Sequence, residues 1–136
     1  MSIGRPFIWP TRVYWEDTDA GGVVYHASYV RFFERARTEW LRAHGVSQQA
    51  LREREDRVFA VRAMDIGFLA PARLDDQLEV SVTLAECRGA SMRIDQAISR
   101  EGMVLVTAQV RVASLAASDF RPRPMPPSVL DALGVA

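Results

Sequence analysis

The sequence has 136 residues, of which 49% are hydrophobic and 25% charged, the balance of an ordinary globular domain. A single domain spanning residues 1–136 is therefore expected. Its 17 basic residues equal its 17 acidic ones, which argues against nucleic acid as a partner because phosphate binding requires a basic excess. No stretch has the length of a membrane span or the apolar segment of a signal peptide, and the single cysteine, Cys87, fits a reducing compartment. A cytoplasmic protein is expected.

The first third of the chain is predicted to form a strand, an acidic loop and a long helix. The strand begins after Pro10, where the residues become bulky and branched. Residues 16–22 form a loop, because Asp-Thr-Asp and Gly-Gly interrupt any regular period. A helix follows over Ala27–His44, with Ser28 as its N-cap and Gly45 as its terminator. Apolar residues recur along it at spacings of three and four, at Tyr29, Phe32, Phe33, Ala36 and Trp40.

The remainder of the chain is dominated by strands. A short helix from Gln48 to about Glu55, capped by Ser47, comes first. The hydrophobic period then changes to two and predicts four strands, at Val58–Phe68, Leu78–Leu84, Met92–Ile98 and Met103–Leu115. A proline-rich tail from about residue 121 ends in a short helix, Val129–Leu133, capped by Ser128. Five strands around one aromatic helix predict an α+β fold with an open sheet edge, which two copies can close by pairing.

Polar chemistry is concentrated in the acidic loop and the start of the long helix. Asp17, Asp19 and His26 lie within ten positions, and a carboxylate beside a helix N-terminus can act on a carbonyl group. The Asp-Thr-Asp spacing resembles a calcium loop, but its twelfth position is Ser28 rather than glutamate. A histidine metal site is also disfavoured, since the other histidine is His44. No metal site and no Gly-x-Ser-x-Gly nucleophile motif is predicted.

A long motif resembles the hotdog-fold acyl-CoA thioesterases. Residues 14–29, YWEDTDAGGVVYHASY, and residues 32–39, FFERARTE, are similar to the branch associated with the Tol–Pal gene cluster of Gram-negative bacteria. The loop is shared with 4-hydroxybenzoyl-CoA thioesterase, and residues 70–76 and Arg88-Gly89 match the same branch. The resemblance implies a five-stranded antiparallel sheet wrapped around one long central helix. It also implies hydrolysis of an acyl-CoA without a metal or redox cofactor, CoA being part of the substrate.

The resemblance assigns the catalytic roles to two residues. The catalytic carboxylate of the family falls on Asp19, and the backbone amide that polarises the thioester carbonyl falls at His26. A carboxylate can attack the thioester directly or activate a water molecule, and the residues leave both mechanisms open. A structural role, capping the following turn, is the alternative for Asp19 and the preferred interpretation of Asp17. The His26 ring either lines the pocket or is a structural, half-buried histidine.

Four further residues are predicted to bind the substrate. Gly22 leaves room for the thioester and for a tight turn, and Tyr25 faces the acyl pocket. Arg73 and Arg88 are candidates for the phosphates of CoA, although ordinary surface positions are the alternative for each. Tyr29 is a further candidate for the acyl pocket, although packing in the core is its preferred interpretation.

Two other functions remain open at this stage. A protein of the same fold can hold acyl-CoA or an acyl-carrier partner without turnover, although the intact acidic loop argues against a pure binder. A hotdog dehydratase is weaker, because the spacing from Asp19 to His26 is not distinctive for proton abstraction. The expected partners are an acyl-CoA substrate, with acyl carrier protein as the alternative carrier, and further copies of the chain in a homodimer or homotetramer. The preferred acyl group is left open, because Gly67-Phe68-Leu69 stands at the substrate end where the resemblance implies a more aromatic run.

Overall fold

The computed structural model describes residues 3–135, so residues 1, 2 and 136 of the predicted single domain lie outside the described residues. Within that range the elements are, in chain order, β1 (Ile3–Arg12), α1 (His26–Ala43), α2 (Gln48–Glu55), β2 (Arg57–Phe68), β3 (Gln77–Arg88), β4 (Ser91–Arg100), β5 (Met103–Ala116) and α3 (Pro127–Ala132). The strands form one sheet in the order β1-β3-β4-β5-β2, and all neighbours are antiparallel. The predicted five-stranded hotdog fold is confirmed.

Helix α1 packs its aromatic face against one side of the sheet. The residues that recur at spacings of three and four are all buried, and Phe33 and Ala36 are completely inaccessible to solvent. They meet the inner-facing side chains of the central strands, including Val82 on β3 and Val110 on β5. The helix ends as predicted at Gly45, whose φ of +79° lies in the left-handed region that glycine adopts without steric cost. The packing of its buried face fixes α1, and with it the start of the helix, relative to the sheet.

Two predictions about the N-terminal elements are wrong. Strand β1 contains Pro10, which pairs with Glu79, instead of beginning after it. A proline is tolerated there because β1 is an edge strand and one side of it need not donate ladder hydrogen bonds. Helix α1 starts at His26, one residue early, and Ser28 is not its N-cap. The Ser28 hydroxyl instead donates to the Asp17 carbonyl oxygen at 3.1 Å, which ties the helix to the preceding loop.

The two short helices follow different start signals. Helix α2 begins as predicted after Ser47, whose hydroxyl accepts the Ala50 N–H at 3.2 Å. Helix α3 begins two residues before its predicted start, at Pro127, because proline is favoured in the first turn of a helix. Ser128 therefore lies inside α3, where its hydroxyl donates to the Glu55 carboxylate at 3.0 Å. Among the described residues, no helix is both long and apolar enough to cross a membrane.

Shortening a core side chain is expected to lower stability measurably. Ile98 on β4 is fully buried, so Ile98→Val should reduce the free energy of unfolding by about 0.5–1.5 kcal/mol through the lost methyl group and the cavity it leaves. Urea denaturation measures this loss. The matched control is Ile8→Val on β1, where the side chain is 45% exposed and the change should stay within about 0.5 kcal/mol. Equal losses in the two variants would contradict the assigned core.

Candidate active site

The acidic loop is anchored by Asp17, which is 3% exposed. Its carboxylate accepts the Tyr14 N–H at 2.8 Å, closing the short 3-10 turn over Trp15–Asp17. Its carbonyl oxygen accepts the Tyr25 N–H at 2.8 Å as well as the Ser28 hydroxyl. Asp17 therefore bonds both to Tyr14, before the loop, and to Tyr25 and Ser28, after it. The Asp17 side chain is engaged in this network and does not reach out to a substrate.

Asp19 sits at the head of a tight turn closed by two glycines. Its backbone N–H donates to the Val23 carbonyl at 2.9 Å, and its own carbonyl accepts the Gly22 N–H at 3.1 Å. Gly22 has a φ of +80°, which explains glycine at this position. The Asp19 side chain is exposed, and its Oδ1 accepts the Gly21 N–H at 2.8 Å. Within residues 3–135 no donor contacts its second oxygen, Oδ2, which leaves that atom available for chemistry.

Asp19 opens onto a cleft of about 390 Å³ between the loop, the start of α1 and the end of β2. The cleft is lined by Asp19, Val23, Val24, His26, Tyr29, Phe68, Leu69, Ala70 and Pro71. Two of these are large hydrophobic side chains at the surface, Phe68 at 55% and Leu69 at 68% exposure. A site that combines an apolar wall with one carboxylate suits an apolar ligand that carries a reactive polar group.

The first turn of α1 presents free backbone donors beside the cleft. His26 is the first helical residue, and neither its N–H nor that of Ala27 has an acceptor within residues 3–135. These N–H groups lie at the positive end of the helix dipole, where they favour negative charge. The His26 side chain is exposed and its ring contacts the Tyr25 ring, with centroids 4.5 Å apart. The His26 backbone therefore offers a hydrogen-bond donor to negative charge, and its ring is a separate group that packs on Tyr25.

Residues 70–76, here called the supporting loop, hold the acidic loop in place from the other side. The Val24 N–H donates to the Ala72 carbonyl at 2.9 Å, directly behind the cleft. Two backbone hydrogen bonds of 3.0 Å join Val13 to the end of the supporting loop. The Val13 N–H donates to the Asp76 carbonyl, and the Val13 carbonyl accepts the Asp75 N–H. The Asp76 carboxylate accepts the Arg73 N–H at 2.8 Å and an Arg100 guanidinium N–H at 2.6 Å. The loop is thus fixed by backbone pairing and by one ion pair with β4.

This ion pair should make stability depend on pH. Burial would raise the pKa of Asp76, but the Arg73 N–H and the Arg100 guanidinium hold it below its ordinary value of 3.8. Because the pKa of Asp76 is lower in the folded state than in the unfolded state, its ionised form stabilises the protein at any pH above the unfolded pKa. This contribution to the free energy of unfolding disappears as the pH falls through the folded pKa. Asp76→Asn should cost about 1–2 kcal/mol at pH 7, and the difference from wild type should shrink below about pH 4.

Urea unfolding at pH 7, 5, 4 and 3 tests this dependence. Asp75→Asn is the matched control, because it removes a neighbouring exposed carboxylate that has no side-chain partner among residues 3–135. Its effect should remain within about 0.5 kcal/mol at every pH. A cost for Asp76→Asn that is the same at pH 3 and pH 7 would contradict the role of the ionised pair.

The structure brings only some of the predicted substrate-binding residues to the cleft. Arg73 is exposed and forms an isolated β-bridge with Val23, so it lies at the edge of the cleft. Tyr25 is adjacent to His26 but does not line the cleft, and Gly22 shapes the turn rather than the wall. Arg88 lies at the opposite end of β3, about 36 Å along a strand with a rise of about 3.3 Å per residue. Arg88 is therefore remote from the Asp19 of its own chain.

Sequence reasoning identified only partly the wall of the cleft that comes from distant segments. The resemblance places residues 67–69 at the substrate end but gives Phe68 and Leu69 no role, and the core is preferred over the acyl pocket for Tyr29. The Tyr29 ring is indeed buried, but the residue also lines the cleft. Its position in the first turn of α1, three residues after His26, is the local signal for this second role.

Comparison with known proteins identifies relatives over nearly the whole chain. The family described as the Thioesterase-like superfamily matches residues 13–133. Acyl-CoA thioester hydrolase YbgC of Escherichia coli O6:H1 is 51% identical over 125 residues, covering 91% of this chain and 92% of that protein. Acyl-CoA thioesterase YbgC of Haemophilus influenzae is 44% identical over 127 residues, covering 93% of each. The crystal structure of a probable thioesterase from Bartonella henselae has a TM-score of 0.85 at 38% identity, covering 90% of this chain and 100% of that one.

Proposed function

This chain belongs to the thioesterase-like superfamily, and we propose that it hydrolyses the thioester bond of an acyl-CoA to a free acid and CoA. One observation carries the proposal: the exposed Asp19 carboxylate and the free N–H of His26 border one cleft with an apolar wall. A carboxylate supplies the base or nucleophile that thioester hydrolysis needs. A free N–H supplies the stabilisation of the negative oxygen that forms during the reaction.

The chemistry follows from this arrangement. The acyl chain lies against Phe68 and Leu69, which places the thioester between Asp19 and the start of α1. Attack on the carbonyl carbon, by Asp19 itself or by a water molecule that it deprotonates, moves negative charge onto the carbonyl oxygen. The backbone N–H groups of His26 and Ala27 donate hydrogen bonds to that oxygen, and collapse of the intermediate expels the CoA thiolate. When Asp19 itself attacks, the acyl group is left on Asp19 as an anhydride, and a water molecule then hydrolyses it to the free acid and restores the carboxylate. The reaction as proposed needs no metal ion or separate cofactor.

The CoA part of the substrate requires basic groups outside the cleft. Arg73 is well placed for a phosphate, because it is exposed and paired with Val23 at the edge of the cleft. Arg88 can serve this purpose only from another copy of the chain, given its distance along β3. Acyl carrier protein is the alternative carrier of the acyl group. We place the reaction in the cytoplasm, in keeping with a single unpaired cysteine.

A homodimer is proposed because the sheet has an open edge at β2. This strand pairs with β5 on one side and is the last strand of the sheet on the other. Open edges invite pairing with another chain, and β2 carries exposed hydrophobic side chains at Val61 and Phe68. Pairing of two copies through β2 would cover this edge, and association of two such dimers would give the homotetramer.

A binding protein without turnover is the second candidate. It is favoured by the bond from the Gly21 N–H to Asp19 Oδ1, which shows that the carboxylate also has a structural use. Thiol release from a panel of short, long-chain and aromatic acyl-CoAs separates the two functions. Release from at least one member supports the hydrolase. Tight binding of an acyl-CoA without release from any member, or from the corresponding acyl carrier proteins, would support the binding protein.

A further inference from the structure

Tyr29 joins the hydrophobic core to the cleft. It lies in the first turn of α1 and is 3% exposed. Its ring contacts the rings of Phe32 and Phe68, with centroid distances of 6.2 and 5.8 Å. Its hydroxyl reaches the supporting loop, where it accepts the Ala72 N–H at 3.0 Å. The ring contacts hold the Tyr29 side chain in place, and the hydrogen bond from Ala72 fixes the position of its hydroxyl.

The hydroxyl proton of Tyr29 has no acceptor within residues 3–135. A phenol has one proton to donate, and accepting the Ala72 N–H occupies only a lone pair of its oxygen. Burial raises the pKa of Tyr29 most strongly, the bond from Ala72 and the charge of Arg100 lower it, and the charges of Asp76 and Asp19 raise it. The net shift of this pKa is upward, so the group remains a protonated donor at neutral pH. Among the residues that line the cleft with it, Asp19 carries the carboxylate.

Asp19 presents the complementary group. Its Oδ1 is occupied by the Gly21 N–H, whereas Oδ2 has no donor among the described residues. Tyr29, with a free donor, and Asp19, with an available acceptor, thus line the same cleft, and no hydrogen bond joins the two side chains within residues 3–135. A water molecule that accepts from Tyr29 and donates to Asp19 satisfies both groups.

We propose that Tyr29 is a further catalytic residue of this site, whose hydroxyl holds the hydrolytic water against Asp19. This inference rests on the proposed thioesterase function and selects the general-base branch of it. In the reaction, the water oxygen forms a bond to the thioester carbonyl carbon while one water proton passes to the Asp19 carboxylate. The carbon–sulfur bond then breaks, and the departing thiolate takes the proton from the Asp19 carboxyl group. Tyr29 donates a hydrogen bond throughout and is not consumed.

The test uses Tyr29→Phe, which keeps the ring and its contacts with Phe32 and Phe68. Steady-state kinetics is measured on the acyl-CoA that the wild type hydrolyses fastest. We expect kcat to fall by about tenfold or more while KM stays within about twofold, because the hydroxyl acts on water rather than on the acyl chain. The same substitution is made in an Asp19→Asn background, where it should change the residual rate by less than about twofold.

Tyr29→Phe also removes the acceptor of the Ala72 N–H, so a variant that loosens the supporting loop in another way is needed. Asp76→Asn serves this purpose, because it weakens the bonds to Arg73 and Arg100 and leaves the Tyr29 hydroxyl in place. We expect a smaller loss of kcat in Asp76→Asn than in Tyr29→Phe. An equal loss in the two variants, together with equal changes in KM, would show that Tyr29 acts only as an anchor for the loop.

The outcomes separate this inference from the function on which it rests. If Asp19→Asn is inactive and Tyr29→Phe retains wild-type kcat, the role of Tyr29 is refuted and the thioesterase proposal stands. If adding Tyr29→Phe to Asp19→Asn lowers the residual rate by a further tenfold, the two side chains act independently. That result would likewise refute the proposal that they hold one water molecule. If Asp19→Asn keeps the wild-type rate, the mechanism proposed for the cleft fails, and the inference fails with it.

Discussion

Asp19→Asn is expected to lower kcat/KM for acyl-CoA hydrolysis by about 10²–10⁴-fold, the range usually contributed by a positioned base. Asparagine has nearly the same shape and keeps an oxygen that can accept the Gly21 N–H, so the turn should persist. What it loses is the charge and basicity of the carboxylate that lines the cleft. The measurement is thiol release under steady-state conditions, with circular dichroism and thermal unfolding to verify that the fold is retained.

The matched control for this prediction is Glu16→Gln. It makes the same change of charge on the same loop, at an exposed side chain that has no hydrogen-bond partner within residues 3–135. Its kcat/KM should remain within about twofold of wild type. Equal losses in the two variants would indicate a general electrostatic effect of the loop and would contradict a specific role for Asp19.

The long helix could be predicted from the sequence because its determinants are local. The spacing of Phe32, Phe33 and Ala36 defines one buried face, and Gly45 supplies the left-handed residue at which the helix ends. The concentration of acidic residues before a helix start is equally local, so Asp19 could be selected as a candidate. The resemblance to a known family added its role, which the residues alone leave undecided between catalysis and capping.

The opposite wall of the cleft could not be predicted in this way. The contact between Tyr29 and Ala72 joins residues 43 positions apart, and it exists only because the supporting loop crosses behind the acidic loop. Phe68 reaches the site from the end of β2, an edge strand whose place in the sheet depends on the pairing of β5. Hydrophobic periodicity assigns such residues to a strand or to a core, but it does not say which cleft they border.

The erroneous start of β1 has a related physical cause. Proline is unfavourable in a central strand, so a strand beginning after Pro10 was the reasonable interpretation of the local sequence. Only the sheet order shows that β1 is an edge strand, where the missing N–H of proline is tolerated. Three-dimensional context overrides local preference here.

The start of α1 allows the backbone and the ring of His26 to be tested separately. His26→Pro removes the N–H but suits the helix, because proline is favoured at the first helical position. The preceding residue, Tyr25, already has the extended conformation that proline requires, with φ −63° and ψ 132°. No hydrogen bond is lost, since the His26 N–H has no acceptor within residues 3–135. The variant should therefore fold with nearly wild-type stability.

His26→Pro is expected to lower kcat by about 10²–10³-fold, the usual cost of removing one donor to the developing oxyanion. His26→Ala is the matched control, because it removes the ring but keeps the N–H, and its kcat should stay within about threefold of wild type. The remaining N–H of Ala27 would account for residual activity in the proline variant. If the alanine variant loses as much activity as the proline variant while both remain folded, the imidazole ring rather than the helix start is the functional group, and the oxyanion site must be sought elsewhere in the cleft.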